Sequence, residues 1–254
     1  MTYTDRGWRF MATALLWFFF GAIGIVVGFI FLPLVNFFIR DPQKRQATAR
    51  SVIGRAFGTF VAGGKVLGAF EVNIDGLENY DPDHSQLILA NHPTLIDVVI
   101  LISLFPQVDC VVKEAVMRNP FMRGAVRPAN YVSNREPGDL LDTCVNRLRG
   151  GSSLLLFPEG TRTVRGQAIQ LKLGAAEIAV RARADILPVA IDCSPQFLTK
   201  EDPWYWIPAS RPVFSIKVMS TVAAANLANA SLDDRHARYA LNESLAALFE
   251  AQIA

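Results

Sequence analysis

The sequence predicts an α/β fold, a mixed and largely buried sheet flanked by helices, preceded by an N-terminal membrane-embedded helical segment. Three observations predict it. From residue 71 onward, short apolar runs alternate with stretches of helical periodicity. Several of those runs, such as "QLILA" at 86–90 and "ILPVAI" at 186–191, are apolar nearly throughout, as buried strands are. Residues 10–39 contain no charged residue at all, in a chain of which 19% is charged.

The charge-free stretch comes first. As a straight helix it is roughly 45 Å long, against roughly 30 Å of bilayer hydrocarbon, so it spans with tilt or bends near Pro33 and re-enters. A secretory leader fits poorly: its apolar core runs about 7–15 residues, and no small-x-small cleavage site follows here. Arg6 and Arg9 precede the stretch, whereas Arg40, Lys44, Arg45, Arg50 and Arg55 follow it. The positive-inside rule then puts the rest of the chain at the cytoplasmic face of the membrane, the inner membrane in a bacterium. Residues 41–50 read as a polar hinge. Residues 51–70 repeat apolar positions at three- and four-residue steps with Arg55 and Lys65 between them. They form a basic amphipathic helix, lying either on an anionic membrane surface or against the core. The chain accordingly divides into an anchor with an interfacial helix, 1–70, and an α/β domain, 71–254.

Strands are expected at 71–74, 86–90, 110–112, 130–133, 153–157, 186–191 and 213–219, and helices at 94–104, 138–148, 171–183 and 231–252. A net charge of +2 leaves no electrostatic footprint for nucleic acid. The three cysteines, Cys110, Cys144 and Cys193, have no CxxC spacing and read as thiols in a reducing compartment. The three histidines, His84, His92 and His236, are unclustered and the cysteines are scattered, so no metal site is expected.

"NHPTLID", residues 91–97, joins a strand to a helix, the place where chemistry gathers in open α/β sheets. If the helix starts near Thr94, that residue is its cap and Asp97 completes a capping box. His92 then lies just before the first helical turn. A carboxylate that accepts from one imidazole nitrogen fixes the tautomer, leaving the other nitrogen to take a proton. "LLLFPEGTRT", residues 154–163, ends a second strand in a turn. Gly160 lets the backbone approach a ligand closely, turn N–H groups can face an anion, and Arg162 carries a fork of donors suited to phosphate or carboxylate.

Together these segments resemble the NHxxxxD and FPEGTR motifs of the glycerolipid acyltransferases, of the 1-acylglycerol-3-phosphate type. The resemblance covers roughly residues 71–220 and includes the N-terminal membrane element. "NYVSNR", ending at Arg135, resembles the family's arginine-terminated motif, and "ILPVAI", with Pro188, its late proline-bearing strand. The resemblance implies that His92 deprotonates an acceptor hydroxyl as it attacks an acyl thioester, with Asp97 orienting His92. It implies that Glu159, Gly160, Thr161 and Arg162, with Arg135, hold the acceptor's phosphate. Lys113 and Lys172 are further basic candidates. Acyl-CoA or acyl carrier protein is the donor and a lysolipid the acceptor, beside membrane phospholipids and with no resident cofactor.

The resemblance implies 1-acyl-sn-glycerol 3-phosphate as the acceptor, but Ala129, and Ser133-Asn134, depart from the usual residues around the arginine motif, so a lyso-aminolipid or a specialised glycolipid fits nearly as well. Two other classes share the motifs' chemistry. A hydrolase would use the same base on water, and a non-catalytic lipid-binding protein would not use it at all. "DPWYWIP", 202–208, offers Trp204, Tyr205 and Trp206 to a bilayer interface or to the domain's own surface.

Overall fold

The computed structural model describes residues 3–118, 126–134, 137–163, 169–223, 226 and 234–253. In chain order the elements are α1 (Tyr3–Val26), a π turn (Val27–Phe31), α2 (Leu32–Phe38), α3 (Pro42–Val66), β1 (Glu71–Asp75), a 3₁₀ turn (Leu77–Asn79), β2 (Gln86–Ala90), α4 (Asp97–Leu104), β3 (Asp109–Val112), α5 (Glu114–Arg118), β4 (Val132–Ser133), α6 (Pro137–Arg149), β5 (Leu154–Leu156), α7 (Leu173–Ala182), β6 (Asp185–Ser194), β7 (Val213–Val218), β8 (Val222–Ala223) and α8 (Asp234–Ile253). They fall into two compact units. The first takes residues 1–72, 96–135 and 194–213, and the second 73–95, 136–193 and 214–254.

The first unit is built on the apolar helix. Residues Asp5–Phe38 are long and apolar enough to cross a membrane. The chain does not turn back at Pro33. The proline ring would clash with the carbonyl four residues earlier in a regular helix. Here the preceding turn widens, Leu32 N–H bonds to Val27 O five residues back, and the helix runs on to Phe38. Ile39 is extended, and Asp41 then caps α3, its Oδ1 accepting from Gln43 N at 2.9 Å and Lys44 N at 3.3 Å.

α3 lies antiparallel to α1. Trp8 Nε1 donates to Leu67 O at 2.8 Å, while Phe20 stacks on Phe57 and meets Phe60 edge-on. Ala12 and Leu16 are buried on this face, whereas Met11, Leu15, Phe18 and Phe19 are exposed. Gly54 allows the close approach of α3 to the end of α4, since a Cβ there would stand 2.6 Å from Pro106 Cβ. Among the basic residues after the apolar stretch, Arg50 is the exception to a solvated flank. It is buried, pairs with the fully buried Asp109, and donates to Ala129 O at 3.0 Å and Gln107 O at 2.8 Å. β3 and β4 pair in parallel beside it.

Burial in this cluster pushes the Cys110 thiol up from 9.0 to about 12, with the Asp109 carboxylate adding to the effect. Tyr131 is raised in the same way, chiefly by burial. The sign follows from linkage. Above pH 9 the unfolded chain releases the thiol proton while the folded chain keeps it, so stability is complete below that pH and falls as pH rises toward 12. In that window each pH unit removes at most about 1.4 kcal/mol. Melting temperatures between pH 9 and 10 are expected to fall more steeply in the wild type than in Cys110→Ala, and equal slopes would contradict this.

The second unit carries the strands β1-β7-β6-β2-β5 in that order, with β8 beside β6. β2 is parallel to both neighbours, Leu87 standing opposite Ile186 of β6 and Leu154 of β5. β8 runs antiparallel to β6, which makes the sheet mixed as predicted. All five residues of β2 are buried. α6, α7 and α8 pack in succession. α8 buries Leu241, Leu245 and Phe249 at four-residue spacing, the stripe of a covering helix. Arg238 joins it to Glu177 of α7 at 2.8 Å. The strand expected at 130–133 is only Val132–Ser133, because Asn130 takes a left-handed φ of 56°.

Candidate active site

β2 ends at Ala90, but its pairing continues through a side chain. Asn91, 1% exposed, donates from Nδ2 to Ile191 O at 2.7 Å, and its Oδ1 accepts from Ile191 N at 2.7 Å. The amide thus imitates one more peptide of the ladder with β6, and holds the chain in place where His92 leaves the sheet.

His92 is fixed by the second motif. Its backbone N–H lies 3.1 Å from both Glu159 Oε1 and Thr163 Oγ1, and its carbonyl accepts from Thr163 N at 2.7 Å. Thr163 Oγ1 donates to Glu159 Oε1 at 2.6 Å, which leaves the hydroxyl oxygen able to accept from His92. The imidazole stacks on Phe157, centroids 4.4 Å apart and planes 28° from parallel. Main chain and ring are therefore both held by residues 157–163.

The turn that follows is closed by Gly160 N–H donating to Phe157 O at 3.0 Å and by Lys172 N–H donating to Pro158 O at 2.8 Å. Gly160 has φ 67°, and a Cβ on it would stand 2.6 Å from Lys172 Nζ and 2.9 Å from Cε. The lysine stem crosses the space the missing side chain leaves. Gly160 thus contributes its bare Cα to the site, its N–H being engaged within the turn. The Lys172 ammonium, with no ion pair among the described residues, stands over the turn that carries exposed Thr161 and half-buried Arg162.

Asp97 is the first residue of α4, and Ile96, not Thr94, occupies the cap position. The helix expected from residue 94 thus starts three residues later, and the alternative of a capping box from Thr94 to Asp97 is not how it begins. Asp97 is fully buried, and a buried carboxylate is kept only where it is hydrogen-bonded or paired. Lys113 is exposed just after β3, in the first unit, as is Asp97's helix. Arg135 lies outside the described residues. Among the described residues, no three His, Cys, Asp or Glu side chains are grouped as a metal would require.

Sequence reasoning missed Asn91, Phe157 and Thr163. Asn91 and Phe157 are the first residues of the two motifs, and Thr163 stands four residues after Glu159 in the same turn, so each left a signal that went unassigned.

Residues 71–192 match the family model described as Acyltransferase. That stretch, just under half of the chain, holds β2, the His92 segment and the FPEGTR turn, and it is similar to the acyltransferases. Within that class the chain is similar to 1-acyl-sn-glycerol-3-phosphate acyltransferases. It is 29% identical over 128 residues to a chloroplastic one of Arabidopsis thaliana, across 48% of this chain and 36% of the relative, so it spans little more than a third of that protein's length. To that of Helicobacter pylori it is 25% identical over 177 residues, across 67% of this chain and 70% of the relative. Its fold is similar to the crystal structure of the 1-acyl-sn-glycerophosphate (LPA) acyltransferase of Thermotoga maritima, with TM-score 0.71 and 23% identity over 96% of this chain and 97% of that one.

Proposed function

We propose that the protein transfers a fatty acyl group from an acyl thioester, of coenzyme A or acyl carrier protein, to the free hydroxyl of 1-acyl-sn-glycerol 3-phosphate, giving phosphatidate. The observation that carries the proposal is the held imidazole: His92 is stacked on Phe157 and clamped at its backbone beside a turn bearing two cations.

In the proposed reaction His92 takes the proton of the acceptor hydroxyl as its oxygen attacks the thioester carbonyl. A C–O bond forms, the C–S bond breaks, and the thiolate leaves. Thiols are weak bases, with a pKa of about 8.5 for cysteine as a guide, so little acid assistance is needed, and the imidazolium returns the proton to the departing sulfur. Asp97 is assigned the orientation of His92 from the motif spacing and from its burial. Arg162 and Lys172, with Arg135 by the resemblance, bind the acceptor phosphate. Thr161 lies on the same turn.

A carboxylate repels a phosphate, so Glu159 acts by positioning. Its Oε1 receives both His92 N–H and the Thr163 hydroxyl, and its exposure is only 7%. Glu159→Ala is expected to cost about 1.5–3 kcal/mol of stability and to lower kcat with little change in KM. Glu159→Gln keeps an acceptor oxygen there and is expected to restore most of both. A rise in KM for the acceptor with unchanged kcat would instead make Glu159 a ligand contact.

Membrane contact is proposed through the exposed apolar face of α1, the π turn and α2, where Phe18, Phe29, Phe31, Phe37 and Phe38 are among the side chains without cover. The basic residues after this helix favour the cytoplasmic face. An acceptor with one acyl chain partitions into the bilayer, and a site at the surface meets it there.

The test is a panel of acceptors presented to the purified full-length protein with labelled acyl-CoA and acyl carrier protein in turn. Lysophosphatidate is expected to be acylated in preference to lysophosphatidylcholine, whose phosphate carries a choline. Preference for another lysolipid would keep the chemistry and replace the acceptor.

A further inference from the structure

The first unit holds a cavity of about 450 Å³, within the range of small-ligand sites, and none of its lining residues belongs to the site described above. Asn36 of α2 stands on one side, Arg45 and Gln46 of α3 on another, and Arg127 and Asn130 complete the wall. Among the described residues the lining contains two guanidinium groups and no carboxylate. Neither Arg45 nor Arg127 has an ion pair among the described residues. Asp41, the acidic residue nearest in sequence, is occupied in capping α3.

The wall is held together. Asn130 Nδ2 donates to Gln46 Oε1 at 3.2 Å, Asn130 N to Arg127 O at 3.0 Å, and the buried Arg50 grips Ala129 O from α3. Asn130 adopts φ 56°, a conformation its side chain tolerates better than most, and this turns the chain at the rim. The cavity also begins where the apolar face ends. Phe37, the residue of α2 next to Asn36, is exposed, and Leu34 and Phe38 are exposed on the rest of that helix's surface. A binding site with cationic donors on one side and bare apolar helix on the other matches a molecule with a phosphate head and hydrocarbon chains.

We propose that this cavity binds the phosphate headgroup of an anionic membrane lipid whose acyl chains lie along the exposed face of α2. The proposal rests on the membrane contact described above but not on acyl transfer. The lipid is a fixed companion of the fold and neither reactant nor product.

The probe is phosphatidylglycerol, with phosphatidylcholine of the same chains as reference. The readout is the ratio of the two lipids retained by immobilised full-length protein in mild detergent. Each arginine near a lipid phosphate contributes about fivefold. Arg45→Gln and Arg127→Gln are each expected to lower the ratio about fivefold and the double variant about 25-fold, with an unchanged melting curve. Asn130→Asp, which keeps the backbone conformation and places a carboxylate at the rim, is expected to lower it as well. Arg55→Gln, on the exposed side of α3, and His92→Ala are expected to leave it within twofold, so failure here is separable from failure of the catalytic reading. Millimolar inorganic phosphate is expected not to displace the lipid. A double variant with the wild-type ratio would overturn the proposal. So would an equal loss in Arg55→Gln, which makes the effect diffuse charge, or displacement by phosphate, which makes the ligand a soluble anion.

Discussion

Replacing His92 with alanine is expected to lower kcat by about two to four orders of magnitude, the usual contribution of a positioned general base, while the protein stays folded. The two halves of this expectation have separate structural grounds. The clamp to Glu159 and Thr163 uses the backbone N–H and carbonyl of residue 92, which alanine retains. Only the imidazole and its stack on Phe157 disappear, and an aromatic stack is worth about 0.5–1.5 kcal/mol beyond its area. For a chain of this size that lowers Tm by a few degrees, at about 2–4 °C per kcal/mol. Steady-state kinetics and a melt on the same preparation check both halves. A variant with wild-type kcat would remove His92 from the chemistry. A variant that fails to fold would leave Glu159→Ala and its glutamine rescue to carry the test.

The largest effect on stability is expected from Asp109→Ala. It leaves the Arg50 guanidinium, 4% exposed, without its counter-charge, although Ala129 O and Gln107 O still accept from it. Breaking a buried ion pair from one side costs about 3–5 kcal/mol. That is a large part of the 5–15 kcal/mol that holds most domains together. Arg50→Met combined with Asp109→Leu removes both charges and is expected to recover much of the loss, since apolar replacement of a whole buried pair is often neutral. Denaturant unfolding of the two single variants and the double variant measures this directly. If the single variants lose under about 1 kcal/mol, the pair is better hydrated than its burial indicates.

These two predictions also mark where the sequence could and could not be read. The strand before His92 was legible because "QLILA" is apolar throughout, and all five residues are buried. The FPEGTR turn was legible from its glycine and its arginine. The bonds that hold His92 were not, because they join residues 67 and 71 positions apart, and Asn91 meets Ile191 across 100. No local spacing encodes such partners.

Arg50 illustrates the same difficulty in a helix. In sequence it is one more basic residue after an apolar stretch, and only the fold brings Asp109 to it from 59 positions away. The start of α4 was misread for a different reason. Thr94 with Asp97 has the spacing of a capping box, but the helix begins later, at Asp97 itself. At Pro33 the sequence left a tilted span and a bend both open, and one widened π turn lets the helix run on through the proline.

The central claim is that the protein moves an acyl group to a lipid hydroxyl and not to water. Its most direct test is a single measurement: thiol released from acyl-CoA and phosphatidate formed from lysophosphatidate, followed together in one reaction with the purified protein. The predicted result is one phosphatidate per thiol, with no thiol release when the acceptor is left out and both signals lost in His92→Ala. Thiol released at the same rate without acceptor, with free fatty acid as the product, would contradict the claim and make the protein a hydrolase.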